Sequence, residues 1–401
     1  MPNLNETPSS ERLHIGFFGC RNAGKSSLVN AVTGQCLSIV SEVKGTTTDP
    51  VKKSMELLPL GPVVIIDTPG LDDIGLLGEL RIRKAEQILS QTDIAVLVVD
   101  ATGRMGEYDR DLVKEFQKND IPFLIAFNKC DLLSETPSLK TNEYCVSATE
   151  GIGIEALKDA FQQFAPKEKK TPIIGDLLSP GDPVILVCPI DESAPKGRMI
   201  LPQQQTIRDI LDFGATAMVV KETDLAGALD RLKEPPKLVV TDSQALSLVS
   251  KVVPEEVPLT TFSILMARYK GFLSPAVSAI AKAASLEENS WVLMAEGCTH
   301  HRQCNDIGTI KIPKMLQEYC GRPLQFETCS GNTFPEDLSP YSLIIHCGAC
   351  MNTDRDLRQR LRRAIRQGVP FTNYGIALAQ MTGTLERTLR PLPEIHKLLE
   401  P

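Results

Sequence analysis

Gly19-Cys20-Arg21-Asn22-Ala23-Gly24-Lys25-Ser26 follows the apolar run Leu13 to Phe18 and opens a helical pattern that starts at Ser27. An apolar strand, a glycine-bounded loop ending in Lys-Ser and then a helix is the layout of a phosphate cradle. The glycines let the backbone curl so that successive N–H groups, from Asn22 through Ala23, Gly24, Lys25, Ser26 and Ser27, can point at phosphate oxygens. Lys25 can reach the terminal phosphates, and the Ser26 hydroxyl can ligate Mg²⁺. The fold expected around this stretch is α/β, with parallel strands delivering loops to one edge.

Three further motifs follow at strand ends. Asp67-Thr68-Pro69-Gly70 comes directly after Val63-Val64-Ile65-Ile66, a β-branched run that reads as a buried strand. An acid there can hold the Mg²⁺ shell, and Gly70 leaves an N–H to sense the γ-phosphate. Asn128-Lys129-Cys130-Asp131 follows the strand Pro122 to Phe127. A carboxylate at Asp131 can accept two N–H bonds from guanine, whereas adenine presents the wrong donors. Ser147-Ala148, after Glu143 to Val146, would complete the base pocket. Between the first two motifs, Gly45-Thr46-Thr47-Thr48-Asp49 has no apolar period and reads as a mobile switch, with Thr46 at the nucleotide and Thr47 sensing the γ-phosphate and Mg²⁺. The nucleotide is therefore GTP with Mg²⁺, held at the metal by Ser26 and Thr47, and the expected catalytic set is Lys25, Thr47 and Asp67.

With these motifs in this order, residues 13 to about 165 resemble the TrmE/Era-like GTPases. Leu71 follows Gly70, so the water-orienting glutamine of Ras-like proteins is missing at that position. Asn22, together with Gly45-Thr46-Thr47, is what the potassium-activated members of that group carry. The resemblance thus implies K⁺ bound near Asn22 in place of an arginine finger, and slow intrinsic hydrolysis.

The chain has 401 residues, too many for a single core, and 42% hydrophobic with 23% charged residues is ordinary for a globular protein. A net charge of −7 and 5% aromatic residues argue against nucleic acid as the main partner. Met1 to Arg12 has no apolar core, and no apolar run approaches the ~20 residues of a membrane span, so a cytoplasmic location is expected. Eleven cysteines in a reducing compartment are not a disulfide framework, and six of them lie from Cys298 onward.

Three domains are expected: residues 1–170, 171–269 and 270–401. The first should end in the polar, proline-marked stretch Ala165 to Pro172. In the second, short apolar strands alternate with helices between Val184 and Val252, which implies a small parallel α/β sheet without a phosphate loop. It reads as an oligomerisation module that would make a homodimer. The third shows the same alternation, so ligand chemistry belongs at the carboxyl ends of its strands. The arginines from Arg355 to Arg366 read as the solvated face of a helix.

Two strands of the third region run into metal ligands. Trp291 to Ala295 leads to Cys298-Thr299-His300, and Ser342 to Ile345 leads to His346-Cys347-Gly348-Ala349-Cys350. Parallel strands share one carboxyl edge, so the two groups can meet. Three thiolates there suit an Fe–S cluster or Zn²⁺. Cys304, Cys320 and Cys329 lack paired spacing and read as packing residues.

The pattern Cys-x-His…His-Cys-x-x-Cys behind a TrmE-like GTPase domain resembles the GTPase maturation factors of [FeFe]-hydrogenase, the HydF family, over essentially the whole chain. The resemblance implies a GTP-binding domain, a dimerisation domain and a cluster-binding domain, with a [4Fe-4S] cluster on Cys298, Cys347 and Cys350. His300 and His346 are candidates for the fourth position, where family members differ. It further implies a scaffold and carrier that delivers the di-iron precursor of the H-cluster, as transient cargo, to apo-hydrogenase. The two radical-SAM maturases would be its other partners, with GTP modulating those interactions. The rival reading is an RNA-modification or ribosome-assembly GTPase with a structural zinc site.

Overall fold

A computed structural model of the chain describes residues 7–34, 51–58, 60–68, 88–135, 137–164, 171–190, 199–297, 307–331, 333–350 and 352–399. Thr46, Thr47, Gly70, Cys298, His300 and Cys304 lie outside this set. The chain divides into two compact units, essentially the residues up to Glu168 and those from Lys169 on.

The first unit is built on a six-stranded sheet in the order β2-β3-β1-β4-β5-β6. Its strands are β1 (Leu13–Phe18), β2 (Val51–Leu57), β3 (Gly61–Asp67), β4 (Ile94–Asp100), β5 (Phe123–Asn128) and β6 (Glu143–Cys145). All neighbours pair in parallel except the β2–β3 hairpin. The central strands are apolar throughout because helices cover both faces, and period-2 alternation sorts their side chains. Ile15, Phe17, Val63, Ile65, Val96 and Val98 enter one core with Leu28 and Val32 of the helix Lys25–Thr33. Phe18, Val64, Ile66, Ala95 and Leu97 enter another with Leu112 and Phe116 of the helix Glu107–Lys118. There the rings of Phe18 and Phe116 sit 5.3 Å apart in a tilted pair. Each such fully buried Val, Leu, Ile or Phe side chain contributes about 1.5–3 kcal/mol. β2 forms the edge, and its exposed Lys52 and Lys53 keep that edge from pairing with another chain.

The second unit holds two four-stranded, all-parallel sheets, β10-β9-β7-β8 and β12-β11-β13-β14. The first contains β7 (Pro183–Val187), β8 (Thr216–Val220), β9 (Leu238–Thr241) and β10 (Leu259–Thr261). The second contains β11 (Trp291–Glu296), β12 (Gln325–Ser330), β13 (Tyr341–His346) and β14 (Phe371–Asn373). Each sheet ends one strand directly in a helix, using the last strand residue as N-cap. Thr261 Oγ1 accepts the Ile264 N–H at 3.2 Å, and Asn373 Oδ1 accepts the Ile376 N–H at 2.8 Å. The two helix starts approach closely: a Cβ on Gly375 would lie 2.2 Å from Ser263 Cβ.

The two sheets share one core. Ile185, Val239 and Leu259 belong to the same buried cluster as Val292, Leu293 and Ile344. Helix Leu273–Ile280 places Leu273, Ala276, Val277 and Ile280 in it, and Phe272 meets Phe371 edge-on at 6.2 Å. Helix Phe262–Tyr269 adds Ile264 and Ala267, while its Phe262, Leu265 and Met266 enter a separate cluster with Val184 and Leu186. The expected boundary near residue 270 therefore falls inside a shared core. The alternating strand–helix pattern separates the two sheets in sequence, but the apolar helices between them are buried on several sides and weld them together.

Candidate functional site

The phosphate loop leaves β1 at the carboxyl edge of the first sheet. Gly19 has φ +143°, and a Cβ there would sit 2.2 Å from the Val98 carbonyl oxygen of β4. Gly24, at φ +88°, lies just before the helix Lys25–Thr33, and a Cβ there would strike Asn128 Nδ2 at 2.2 Å. Both positions are thus closed to a side chain, for steric and conformational reasons. Lys25 is 7% exposed, and its ammonium donates to the loop's own carbonyls, Gly19 at 2.9 Å and Cys20 at 2.8 Å. Asn22 is exposed at the loop's crest, in the left-handed region at φ +61°.

The other motifs converge on this loop. Ser26 Oγ donates to Asp67 Oδ2 at 2.8 Å, so the two residues expected around Mg²⁺ already face each other. Thr68 is pinned beside them, its hydroxyl donating to the Phe17 carbonyl at 2.6 Å. Asn128, 2% exposed, ties three motifs together. Its Nδ2 donates to the Ala23 carbonyl at 2.9 Å, and its Oδ1 accepts the Ala148 N–H at 3.1 Å. Lys129, at φ +67°, pairs its ammonium with the Asp100 carboxylate, and Asp131 is exposed on the short turn Cys130–Leu132 that comes next. Ser147 is fully buried; its hydroxyl lies 3.1 Å from Thr149 Oγ1 and accepts the Glu150 N–H. Asp100 was missed at the sequence level, although its place at the end of the apolar run Ile94 to Val99 was a usable signal. Strands delivering a Lys-Ser phosphate loop, an acid facing its serine and an Asn-Lys-x-Asp turn to one edge define a P-loop GTPase.

At the second sheet's carboxyl edge, the ends of β11, β12 and β13 are level. Ala295 is in register with both Cys329 and His346, and the Cys347 N–H donates to the Ala295 carbonyl at 2.8 Å. Cys347 follows β13, and its sulfur receives the N–H groups of Gly297 at 3.1 Å and Ala349 at 3.4 Å. Burial nevertheless pushes the Cys347 thiol up to about 11, against those two donors. Such a thiol loses its proton readily only when a metal takes the charge. Ala349 turns the loop at φ +53°, unusual for a residue with a Cβ, and Cys350 follows. Among the described residues no group of three or more His, Cys, Asp or Glu side chains is placed to hold a metal.

His346 ends β13, as the sequence suggested, and both of its ring nitrogens have partners within the protein. It is fully buried at the end of β13, with Nδ1 2.9 Å from the Cys347 carbonyl and Nε2 3.1 Å from Arg360 Nη1. A guanidinium only donates, so these partners assign the proton to Nδ1 and make Nε2 the acceptor. Burial first, and then the charge of Arg360, lowers its ionisation to about 3. In this arrangement His346 braces the loop and offers neither nitrogen to a metal. The arginine helix differs from expectation for the same reason. In Asp354–Arg366 the residues Arg358, Arg362 and Arg366 are exposed, but Arg360 is 4% exposed and also donates to the Gly331 carbonyl. Arg363 turns to the Pro335 carbonyl at 2.9 Å, with its guanidinium 6.0 Å from the Phe334 ring. Cys329 is buried in the core and Cys320 donates to the Ala283 carbonyl, as packing residues do.

Comparison with known proteins bears on both units. Residues 14–129 match the family described as 50S ribosome-binding GTPase. The tRNA modification GTPase MnmE of Coxiella burnetii (strain Dugway 5J108-111) is 32% identical over 163 residues, 39% of this chain and 35% of that protein. GTPase Der of Kosmotoga olearia is 32% identical over 185 residues, 41% and 42% of the two chains. The matched segment is thus less than half of each relative. Among solved structures, a probable GTP-binding protein engB is 25% identical with a TM-score of 0.31, covering 39% of this chain and all of that one. Residues 173–271 match the Hydrogen maturase F dimerization domain and residues 274–391 the Hydrogen maturase F tetramerization domain. The chain belongs to the hydrogen maturase F family, whose two domains follow its GTPase domain. It carries that family's self-association domains, and the region expected to bind a cluster coincides with the one described by tetramerization. No helix among the described residues is long and apolar enough to cross a membrane.

Proposed function

We propose that this GTPase is a cytoplasmic, self-associating carrier that holds a [4Fe-4S] cluster on Cys298, Cys347 and Cys350 and delivers a di-iron precursor to apo-[FeFe]-hydrogenase. The observation that carries the reading is the pair of backbone N–H groups aimed at Cys347 Sγ, at the level carboxyl edge of a parallel sheet. Donors of this kind favour a charged sulfur, and the donor from the end of β11 is Gly297, which immediately precedes Cys298 in the chain. A cluster on three thiolates supplies an iron with one weakly held corner, where a bridging group of the cargo can attach. The chain's own part is to hold the thiolates, to brace their loop through His346 and to leave that corner open. His300 is the remaining histidine candidate for it.

In the first unit Lys25, Thr47 and Asp67 would act at the γ-phosphate and Mg²⁺, with K⁺ at Asn22 and with Thr46, Gly70, Lys129, Asp131, Ser147 and Ala148 around the nucleotide. A coupling of about 1–3 kcal/mol between nucleotide state and partner affinity is enough to time release from the two radical-SAM maturases. Hydrolysis should run at least severalfold faster in K⁺ than in Na⁺ at equal ionic strength; equal rates would remove K⁺ from the mechanism. The RNA-modification reading is not favoured, because the MnmE likeness covers 39% of the chain and the hydrogen maturase domains span residues 173–271 and 274–391.

The deciding experiment is anaerobic. Protein loaded by the maturases is added to apo-hydrogenase and hydrogen evolution is measured. Activity should appear with the unaltered chain and vanish with Cys298→Ala. Transfer that survives this substitution would remove the cluster from the delivery step.

A further inference from the structure

Lys270 is 3% exposed, a rare position for an ammonium. It caps the helix Phe262–Tyr269, where the negative end of the helix dipole favours a cation. Its side chain runs from the helix of one sheet to the Cys-x-x-Cys loop of the other. There Nζ donates to the Ala349 carbonyl at 2.8 Å and to the Asn352 carbonyl at 2.9 Å. These two carbonyls straddle Cys350. Asn352 is itself 4% exposed and is packed so tightly on Gly297 that a Cβ there would lie 1.6 Å from its Oδ1. One buried charge therefore grips the loop of Cys347 and Cys350, and through Asn352 it supports the end of β11 that leads into Cys298.

From this juxtaposition we propose that Lys270 is the positioning residue of the cysteine loop and the positive charge that balances its metal site. This role rests on the cluster reading and goes beyond it. Burying an ammonium against carbonyl dipoles is costly, and a nearby anion offsets that cost. A doubly positive iron–sulfur core on three thiolates has a net negative charge, and one-electron reduction makes it more negative. A buried cation beneath the loop then favours the reduced state. Arg360, 4% exposed and with Nη1 3.1 Å from His346 Nε2, is a second buried cation close to the loop.

The test uses the full chain, reconstituted anaerobically with iron and sulfide, as Lys270→Gln, which keeps a donor without the charge, and Lys270→Arg, which keeps the charge. Redox titration of Lys270→Gln should show the reduction equilibrium disfavoured about tenfold, ~59 mV for a one-electron couple. The EPR spectrum of its reduced form should change as well. Lys270→Arg should return both close to the unaltered values. Lys270→Gln with the unaltered potential and spectrum overturns the proposal. If Lys270→Gln fails to fold while Lys270→Arg folds and keeps the potential, the need for charge stands. If both fail to fold, steric fit is what the site demands and the proposal falls. An unaltered chain that takes up no iron refutes the cluster reading instead.

Discussion

An Asp131→Asn chain should bind GTP about 10²- to 10⁴-fold more weakly, and it should gain relative affinity for xanthosine triphosphate. The expected size comes from two hydrogen bonds between the carboxylate and guanine N–H groups, each worth about 1.5–3 kcal/mol when one partner is charged. Asn128, Lys129 and Ser147 are held from behind, by the phosphate loop, by Asp100 and by the Thr149–Glu150 turn, while Asp131 is exposed on its own turn. Its replacement should leave the fold intact and change the base preference. Xanthine carries a carbonyl where guanine carries an amino group, so an amide nitrogen can donate to it. Competition of GTP and XTP against a fluorescent nucleotide measures the effect. Undiminished GTP affinity would show that another residue reads the base.

Cys347→Ala should lose at least tenfold of the iron bound after anaerobic reconstitution, together with the visible absorption of the cluster. The Cys347 sulfur receives two backbone N–H groups, which set it in place to take a metal. GTP hydrolysis should be unchanged, since the nucleotide motifs lie in the other compact unit. Cys329→Ala is the matched control. Cys329 lies on β12, across β11 from the strand that leads to Cys347, in register with Ala295 but buried among apolar side chains, and burial pushes its thiol up to about 11. It should keep its iron at a modest cost in stability. Full iron content in Cys347→Ala would refute the assignment of the thiolate.

The GTPase motifs were legible because each is a short contiguous run at the end of an apolar strand. There the residue types and their spacing nearly specify the geometry. The strands β1, β3, β5, β7, β9, β11 and β13 were legible for the same reason, each being a β-branched or aliphatic run bounded by polar residues. The hairpin strand β2 was not, because it lies exposed at an edge and its composition, Val-Lys-Lys-Ser-Met-Glu-Leu, carries no burial pattern. Helix Phe262–Tyr269 escaped because it begins without a break from β10, its cap being the last strand residue.

The sequence by itself determined the nucleotide class, the parallel α/β layering and the place of Cys347 and Cys350 just past the end of a parallel strand, since these depend on local periodicity and on short motifs. Only the tertiary structure decided that the second and third regions share a core, that His346 braces a loop and that Arg360 and Lys270 are buried beside it. Burial of a charged or polar side chain depends on what other segments place around it. Lys270 and Ala349 are 79 residues apart in the chain, and no local pattern records that they meet.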